Sequence, residues 1–159
     1  TMFQAVEIDG EHYWDGGYSG NPTVTPLVRE CVSQDTILVQ INPIVRPEVP
    51  RSARDIINRL NEVSFNAPLL KELRMMALLH RVADPGRGEG AMWANMRIHR
   101  IATDRVTELG ASSKLITEWR FLRALRDEGR RTAGLFLDAH AADLGKRSTL
   151  DLDALLPAV

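Results

Sequence analysis

Apolar residues follow two different spacings along the chain, and each spacing predicts a kind of element. Two short β-prone runs, Ala5–Ile8 and Glu11–Trp14, flank Asp9-Gly10, a pair that suits the positive backbone angles of a tight hairpin turn. Thr36–Ile41 is a nearly continuous β-branched and aliphatic run, which is typical of a strand covered on both faces. Met96–Ile101 predicts a further strand.

Helical spacing of apolar residues predicts two helices in the first half of the chain. A short helix starts at Pro26, whose missing N–H costs nothing in a first turn, and ends near Val32. Ser52 precedes Asp55 by three residues, which resembles a capping box and predicts the start of a second helix. Its apolar face continues to about residue 83, and Pro68 is expected to restart or kink it.

Clusters of glycine and proline predict three loops. They cover residues 15–22, which follow the hairpin, 42–50 and 84–95, and the last of these is expected to be long and mobile. A third helix is predicted from Leu115 onward, with Gly129 as a candidate break and Gly145 as its cap.

Strands interleaved with helices indicate an α/β layered fold. The balance is helix-rich, so we expect most of the sheet to lie in a part of the fold that this chain does not contain. A fragment of such a sheet would expose a strand edge and apolar faces, and it would self-associate on its own. No repeat or second domain boundary is visible, so residues 1–159 are read as one unit.

Composition excludes several classes of function. The chain has 20 basic and 21 acidic residues, and a net charge of -1 gives no overall field that would attract nucleic acid. No apolar run approaches the roughly 18 residues that a membrane-spanning helix needs. The single cysteine, Cys31, is predicted to be buried and inert. Structural roles are assigned to the histidines, which lack metal-ligand spacing: His12, His80, His99 and His140.

Asp15 is the strongest candidate for a chemical role. It follows a predicted strand directly, and Gly16 and Gly17 leave room for another backbone or a substrate to approach its carboxylate. A general base needs that access to the proton it removes. The competing interpretation is that Asp15 only caps a turn, as Asp9 does, and residue type alone favours that simpler role.

The wider string around Asp15 favours catalysis. Residues 6–22 read Val-Glu-Ile-Asp-Gly-Glu-His-Tyr-Trp-Asp-Gly-Gly-Tyr-Ser-Gly-Asn-Pro, which closely resembles the second signature of bacterial patatin-like phospholipases. In that signature an Asp-Gly-Gly or Asp-Gly-Ala motif supplies the catalytic aspartate. The resemblance extends over nearly the whole chain, through residues 38–43, 46–50, 59–62, 99–101, 112–115 and 147–149.

The resemblance implies the C-terminal, helix-rich part of a patatin-like three-layer α/β/α fold. It also implies ester hydrolysis by a Ser-Asp dyad, in which Asp15 is the general base and Gly16 and Gly17 shape its surroundings. The nucleophilic serine and the oxyanion loop would come from the N-terminal part of the same fold, so the chain alone is expected to be inactive. The expected substrate is a lipid or ester, with no metal or organic cofactor, and the expected location is the cytoplasm or the membrane periphery.

Three alternatives stay open at this stage. The chain is either that enzyme part or an inert interaction module that pairs with the complementary half. A third hypothesis is an amide hydrolase with Thr1 as an N-terminal nucleophile.

Ser19 is interpreted as a loop serine, because Asn21 stands where a nucleophile elbow has its last glycine. Met92-Trp93 is either a membrane-touching tip or, as we favour, an anchor of its loop to the core.

Overall fold

The computed structural model describes residues 4–109 and 111–155. The strands and α-helices within them are, in chain order, β1 (Val6–Ile8), β2 (Glu11–Tyr13), α1 (Thr25–Glu30), β3 (Asp35–Gln40), α2 (Ala53–Val82), α3 (Gly88–Ala94), β4 (Arg97–Ala102) and α4 (Trp119–His140). Short 3₁₀ turns join several of them, including Gly16–Tyr18 and Ala111–Leu115.

The predicted hairpin is confirmed. Strands β1 and β2 pair antiparallel, with Val6 opposite Tyr13. Asp9 and Gly10 have φ angles of 53° and 83°, the left-handed conformation that a two-residue turn of this kind requires. All residues of both strands are exposed, so the hairpin projects from the rest of the chain.

The central sheet consists of two parallel strands with helices on both faces. Strand β3 pairs with β4 from Asp35↔Arg97 to Gln40↔Ala102, and α2 forms the crossover between them. On one face, α1 and α2 bury the main apolar cluster of Val24, Val28, Leu69, Leu73, Met76, Trp93, Met96 and Ile98. On the other face, α4 packs against β4 through Phe136, which meets His99 edge-on. The α/β class predicted from the sequence is therefore correct.

One face of β3 is open. Leu38 packs against the main cluster. On the other face of β3, Ile37 and Val39 are 46% and 66% exposed, and Ile41, just after the strand, is 65% exposed. The predicted cover on both faces is thus wrong for the described residues, because α4 crosses β4 and leaves β3 uncovered. The edge of β3 away from β4 is also unpaired within the described residues.

Three helical predictions need correction. Helix α2 runs for 30 residues and continues through Pro68 without restarting, with Asn66 bonded to the carbonyl of Pro43 and Leu69 buried in the core on either side of it. The predicted helix from Leu115 begins only at Trp119 and passes Gly129 without a break. Gly145 does have a positive φ of 76°, but a 3₁₀ turn separates it from the end of α4.

Two further predictions are wrong. Residues 84–95 do not form a long mobile loop, because seven of them make α3; Trp93 is buried in the main cluster, as an anchor to the core requires, whereas Met92 is 46% exposed. Side-chain bonds from Asn95 to the carbonyls of Pro85 and Ala91 close this segment. Cys31 is exposed rather than buried, because α1 ends just before it and the chain turns away from the core.

Candidate functional site

Asp15 lies where the sequence predicts it, on an exposed loop directly after β2. It caps a single 3₁₀ turn, Gly16–Tyr18, and its Oδ1 accepts a hydrogen bond of 2.8 Å from the N–H of Gly17. No other hydrogen bond to this carboxylate occurs in the described part of the chain, which leaves Oδ2 free to accept one. The turn therefore fixes the orientation of the carboxylate through Oδ1 and leaves Oδ2 available as an acceptor.

The two glycines after Asp15 differ in the space that surrounds them. A Cβ on Gly17 would stand 3.0 Å from Oδ1 of Asp15, a tighter contact than side chains normally make. A Cβ on Gly16 would meet nothing within 4 Å. Gly17 is thus needed for the carboxylate's position, whereas Gly16 adjoins open space beside it.

Aromatic and cationic contacts tie this turn to the carboxyl end of β3. The ring of Tyr18 lies 5.6 Å from that of Phe65 on α2, and Nζ of Lys114 lies 5.3 Å from the Phe65 centroid. Lys114 also donates to Oδ1 of Asn42, the second residue after β3, at 3.0 Å. The hairpin strands are separate from the central sheet, yet Asp15 comes near the sheet edge where α/β proteins bind ligands.

The proline-rich segment after β3 is held rigidly. Glu62 on α2 accepts hydrogen bonds from Arg46 and Arg59, and Asn66 donates to the carbonyl of Pro43 at 2.7 Å. Burial opposes the charge on Glu62, but the bonds from Arg46 and then Arg59 outweigh it, so the pKa of Glu62 lies below its usual value. The loop that borders the site is therefore fixed to α2.

Two cavities open at this end of the sheet. One of about 350 Å³ lies between the open face of β3 and α4, with Val39, Ile41, Phe121 and Leu125 in its mostly apolar wall. Another of about 400 Å³ lies between β3 and α2 and is bordered by Asn21 and Pro22 from the Asp15 loop. Gln40 lines both, and its Oε1 is buried without a hydrogen-bond partner.

A second polar cluster, missed by the sequence analysis, lies at the opposite end of the sheet. Fully buried His99 bonds through Nε2 to Asp35 (3.0 Å) and through Nδ1 to Thr149 (3.1 Å). Arg97 donates two hydrogen bonds to the same Asp35 carboxylate, and the N–H of Gly145 donates a third. Arg97 first, with Gly145 and His99 after it, holds the pKa of Asp35 well below its usual range against the effect of burial. Through Gly145 and Thr149, this cluster binds the segment after α4 to strands β3 and β4.

Comparisons with models of protein families, with curated proteins and with solved structures found no match to this chain. Residues 4–109 and 111–155 contain no cluster of three or more histidine, cysteine or acidic side chains placed to hold a metal. No helix among them is both long and apolar enough to cross a membrane.

Two other residues, Ser19 and Thr1, come into question as nucleophiles from the sequence. Ser19 closes the turn after Asp15 and donates its hydroxyl to the carbonyl of Gly16, which agrees with its reading as a loop serine. Thr1, the N-terminal nucleophile of the third hypothesis, lies outside the described residues. Asp15 thus remains the candidate on which a function can be built.

Proposed function

We propose that this chain supplies the general base, Asp15, of a lipid acyl hydrolase of the patatin-like kind. The observation that carries the proposal is the placement of this carboxylate: its turn contacts Phe65 near the carboxyl end of β3, and Oδ2 accepts no hydrogen bond from the described residues. A structural cap has no need of the open space beside Gly16, whereas a base that must meet another side chain does.

The chemistry requires a serine from a complementary part of the fold. Its hydroxyl attacks the ester carbonyl while Oδ2 of Asp15 takes the proton, and that proton then passes to the departing alcohol. Water next attacks the acyl-serine, Asp15 accepts the water proton, and the fatty acid leaves as the serine regains a hydrogen. Gly16 and Gly17 leave space for this exchange of partners.

The open surface of β3 supports the idea of a complementary part. Ile37, Val39 and Ile41 form an apolar strip beside an unpaired strand edge, and both features suit the addition of another strand with its own covering helix. A segment that pairs there would run beside β3, whose carboxyl end lies near the Asp15 turn. Ester substrates with long acyl chains fit a neighbourhood whose cavities are mostly apolar.

The test compares two aspartates that both precede glycine. In the protein that contains the serine, Asp15→Asn keeps the shape of the side chain but cannot accept the proton, and ester hydrolysis should fall by about 10⁴-fold. Asp9→Asn is the matched control, because asparagine suits the left-handed φ of 53° at that position equally well. Turnover is measured on a short-chain nitrophenyl ester and on phospholipid micelles, with circular dichroism to check the fold.

The role assigned to Asp15 fails if Asp15→Asn retains near-full turnover with an intact fold. Equal losses in both variants would instead show that hairpin geometry, and not either carboxylate, governs the activity.

An inert interaction module is the second candidate, and the same open face of β3 favours it. Such a module would bind its partner through Ile37, Val39 and Ile41, and Asp15 would have no part in its function. Val39→Lys would then abolish pairing measured by pull-down, while Asp15→Asn would change neither pairing nor any hydrolysis.

A further inference from the structure

The start of α4 and the segment just before it carry exposed apolar and basic side chains that the proposed chemistry does not use. We call this group the Trp119 patch. Trp119 is 70% exposed, Leu115 52%, Leu122 42% and Ile116 41%. Arg120 and Arg123 stand exposed among them. Trp119 is the most exposed of the three tryptophans, and exposed apolar patches often mark sites of interaction.

The patch lies apart from the cavity under α4. Phe121 and Leu125, four residues apart, line that cavity, whereas Trp119 and Arg123, also four residues apart, project on the opposite side of the helix. A segment that fills the space over β3 therefore leaves Trp119 and Arg123 uncovered. The patch needs a separate partner.

The positive charges of Arg120 and Arg123 favour an anionic partner for the Trp119 patch. No carboxylate in the described residues lies within ion-pair distance of Arg120 or Arg123, whereas Arg126 and Arg131 further along α4 are paired with Asp127 and Glu128. Covering unpaired guanidinium groups with an apolar protein surface would bury uncompensated charge. At an anionic bilayer the same groups meet phosphates, while tryptophan and leucine enter the headgroup boundary.

We propose that the Trp119 patch docks the protein on the surface of an anionic lipid bilayer. The net charge of the chain gives no overall attraction to such a surface, so the interaction is local to the first turns of α4. This site differs from the membrane tip considered for Met92-Trp93, since Trp93 is buried in the core.

Docking would place the catalytic turn close to lipid. The patch begins next to Lys114, which contacts Phe65, and Phe65 contacts Tyr18 of the Asp15 turn. This consequence rests on the proposed function, whereas the docking itself does not. The two are therefore tested by separate measurements.

Vesicle flotation of the intact protein tests the docking. The protein should float with vesicles of phosphatidylcholine mixed with phosphatidylglycerol, bind phosphatidylcholine alone much more weakly, and dissociate as salt is raised. Because each arginine near an anionic surface contributes a factor of about five, Arg120→Gln/Arg123→Gln should weaken binding by about 25-fold. Trp119→Ala should weaken it by about tenfold, with an unchanged melting temperature because this side chain is outside the core.

The matched control is Lys71→Gln/Arg74→Gln, which removes the same charge from exposed positions on α2 and should float like the wild type. The docking proposal is overturned by absent flotation, by flotation that ignores lipid charge, or by equal losses in the control pair. It is also overturned if another protein segment protects Trp119 from oxidation in the intact protein without lipid.

Hydrolysis of a soluble nitrophenyl ester separates the two proposals. The patch variants should hydrolyse it at the wild-type rate. Flotation without any ester hydrolysis would refute the proposed function and leave the docking site standing, whereas hydrolysis without flotation would do the reverse.

Discussion

At the scale of single residues, the chain contains the same local turn twice with different surroundings. Gly17 donates its N–H to Oδ1 of Asp15 at 2.8 Å, and Gly86 donates to Oδ1 of Asp84 at 2.9 Å. A Cβ would stand 3.0 Å from the carboxylate at Gly17 but 3.4 Å from it at Gly86. Turn geometry alone therefore does not distinguish a catalytic aspartate from a structural one.

This pair gives a first prediction. Gly17→Ala should displace the Asp15 carboxylate by a few tenths of an ångström and lower ester turnover by about tenfold, because catalysis depends steeply on position. Gly86→Ala has room for its methyl group and should keep wild-type turnover. Both variants are compared in kcat on the soluble ester, and equal kcat values for the two would contradict the assigned role of Gly17.

A second prediction concerns Asp35. Asp35→Ala leaves Nε2 of buried His99 without its partner and removes two of the bonds of the Arg97 guanidinium, which keeps its bond to Gln34, and the free energy of unfolding should fall by about 3 kcal/mol at neutral pH. Because the pKa of Asp35 is lowered in the folded state, its stabilisation is complete above the unfolded value and is lost as the pH falls through the folded one. Urea unfolding should therefore show the difference between wild type and variant shrinking below about pH 5.

Asp138→Ala is the control for that experiment. Asp138 is exposed near the end of α4, and its removal should change stability by less than about 0.5 kcal/mol. A pH-independent difference for Asp35→Ala would show that the carboxylate's charge is not what stabilises the cluster.

Sequence reasoning succeeded for residues whose environment is local and failed for the others. The exposed loop position of Asp15 follows from its glycine neighbours. The pairing of His99 with Asp35 has no local signal, because 64 residues separate them and only the β3–β4 register brings them together. The apolar neighbours of Cys31 predict burial, but the direction of the chain after α1 decides its exposure.

At the scale of elements, the strongest predictions came from caps and turns. The hairpin, α1, both sheet strands and the start of α2 all have a local cause in their own residues. Helix α3 has no clear helical pattern in the sequence because two of its seven residues are glycine, and burial of Trp93 outweighs their low helix propensity. The start of α4 was placed too early because the apolar residue Leu115 belongs to a preceding 3₁₀ turn.

The third prediction tests the start of α2. The hydroxyl of Ser52 accepts the N–H of Asp55 and donates to its carboxylate at 2.6 Å. Ser52→Ala should therefore lower the free energy of unfolding by about 1 kcal/mol. Ser64→Ala is the matched substitution at an exposed position inside the same helix, where alanine favours the helix and no loss is expected. Thermal unfolding of the two variants makes the comparison, and equal melting temperatures would contradict the capping role.

At the scale of the whole molecule, the layered architecture was predictable but its coverage was not. An aliphatic strand indicates burial on two faces, yet the pattern cannot say which helix covers which strand. Here α4 lies over β4, and the cover for Ile37 and Val39 is missing from the described residues. The candidate base could be found from one short string, whereas the Trp119 patch emerges only when α4 is placed.

The open face of β3 gives the fourth prediction. The isolated chain should self-associate in light scattering, because its apolar strip and free strand edge meet those of other copies. Val39→Lys should reduce this association strongly, while Val45→Lys, at a position equally exposed but in the loop after β3, should not. A stable monomer with sharp cooperative unfolding would mean that this face needs no partner.

The crossover through α2 also has a kinetic consequence. The β3–β4 pair joins residues about sixty positions apart, so pairing must pay the loop-closure entropy of that separation before any strand bond forms. Once its 30 residues are helical, α2 forms about half of the connection as one rod, and only the segments on either side of it remain to be ordered. The rate-limiting step of folding should therefore come after α2 forms, so that weakening this helix slows refolding more than it speeds unfolding.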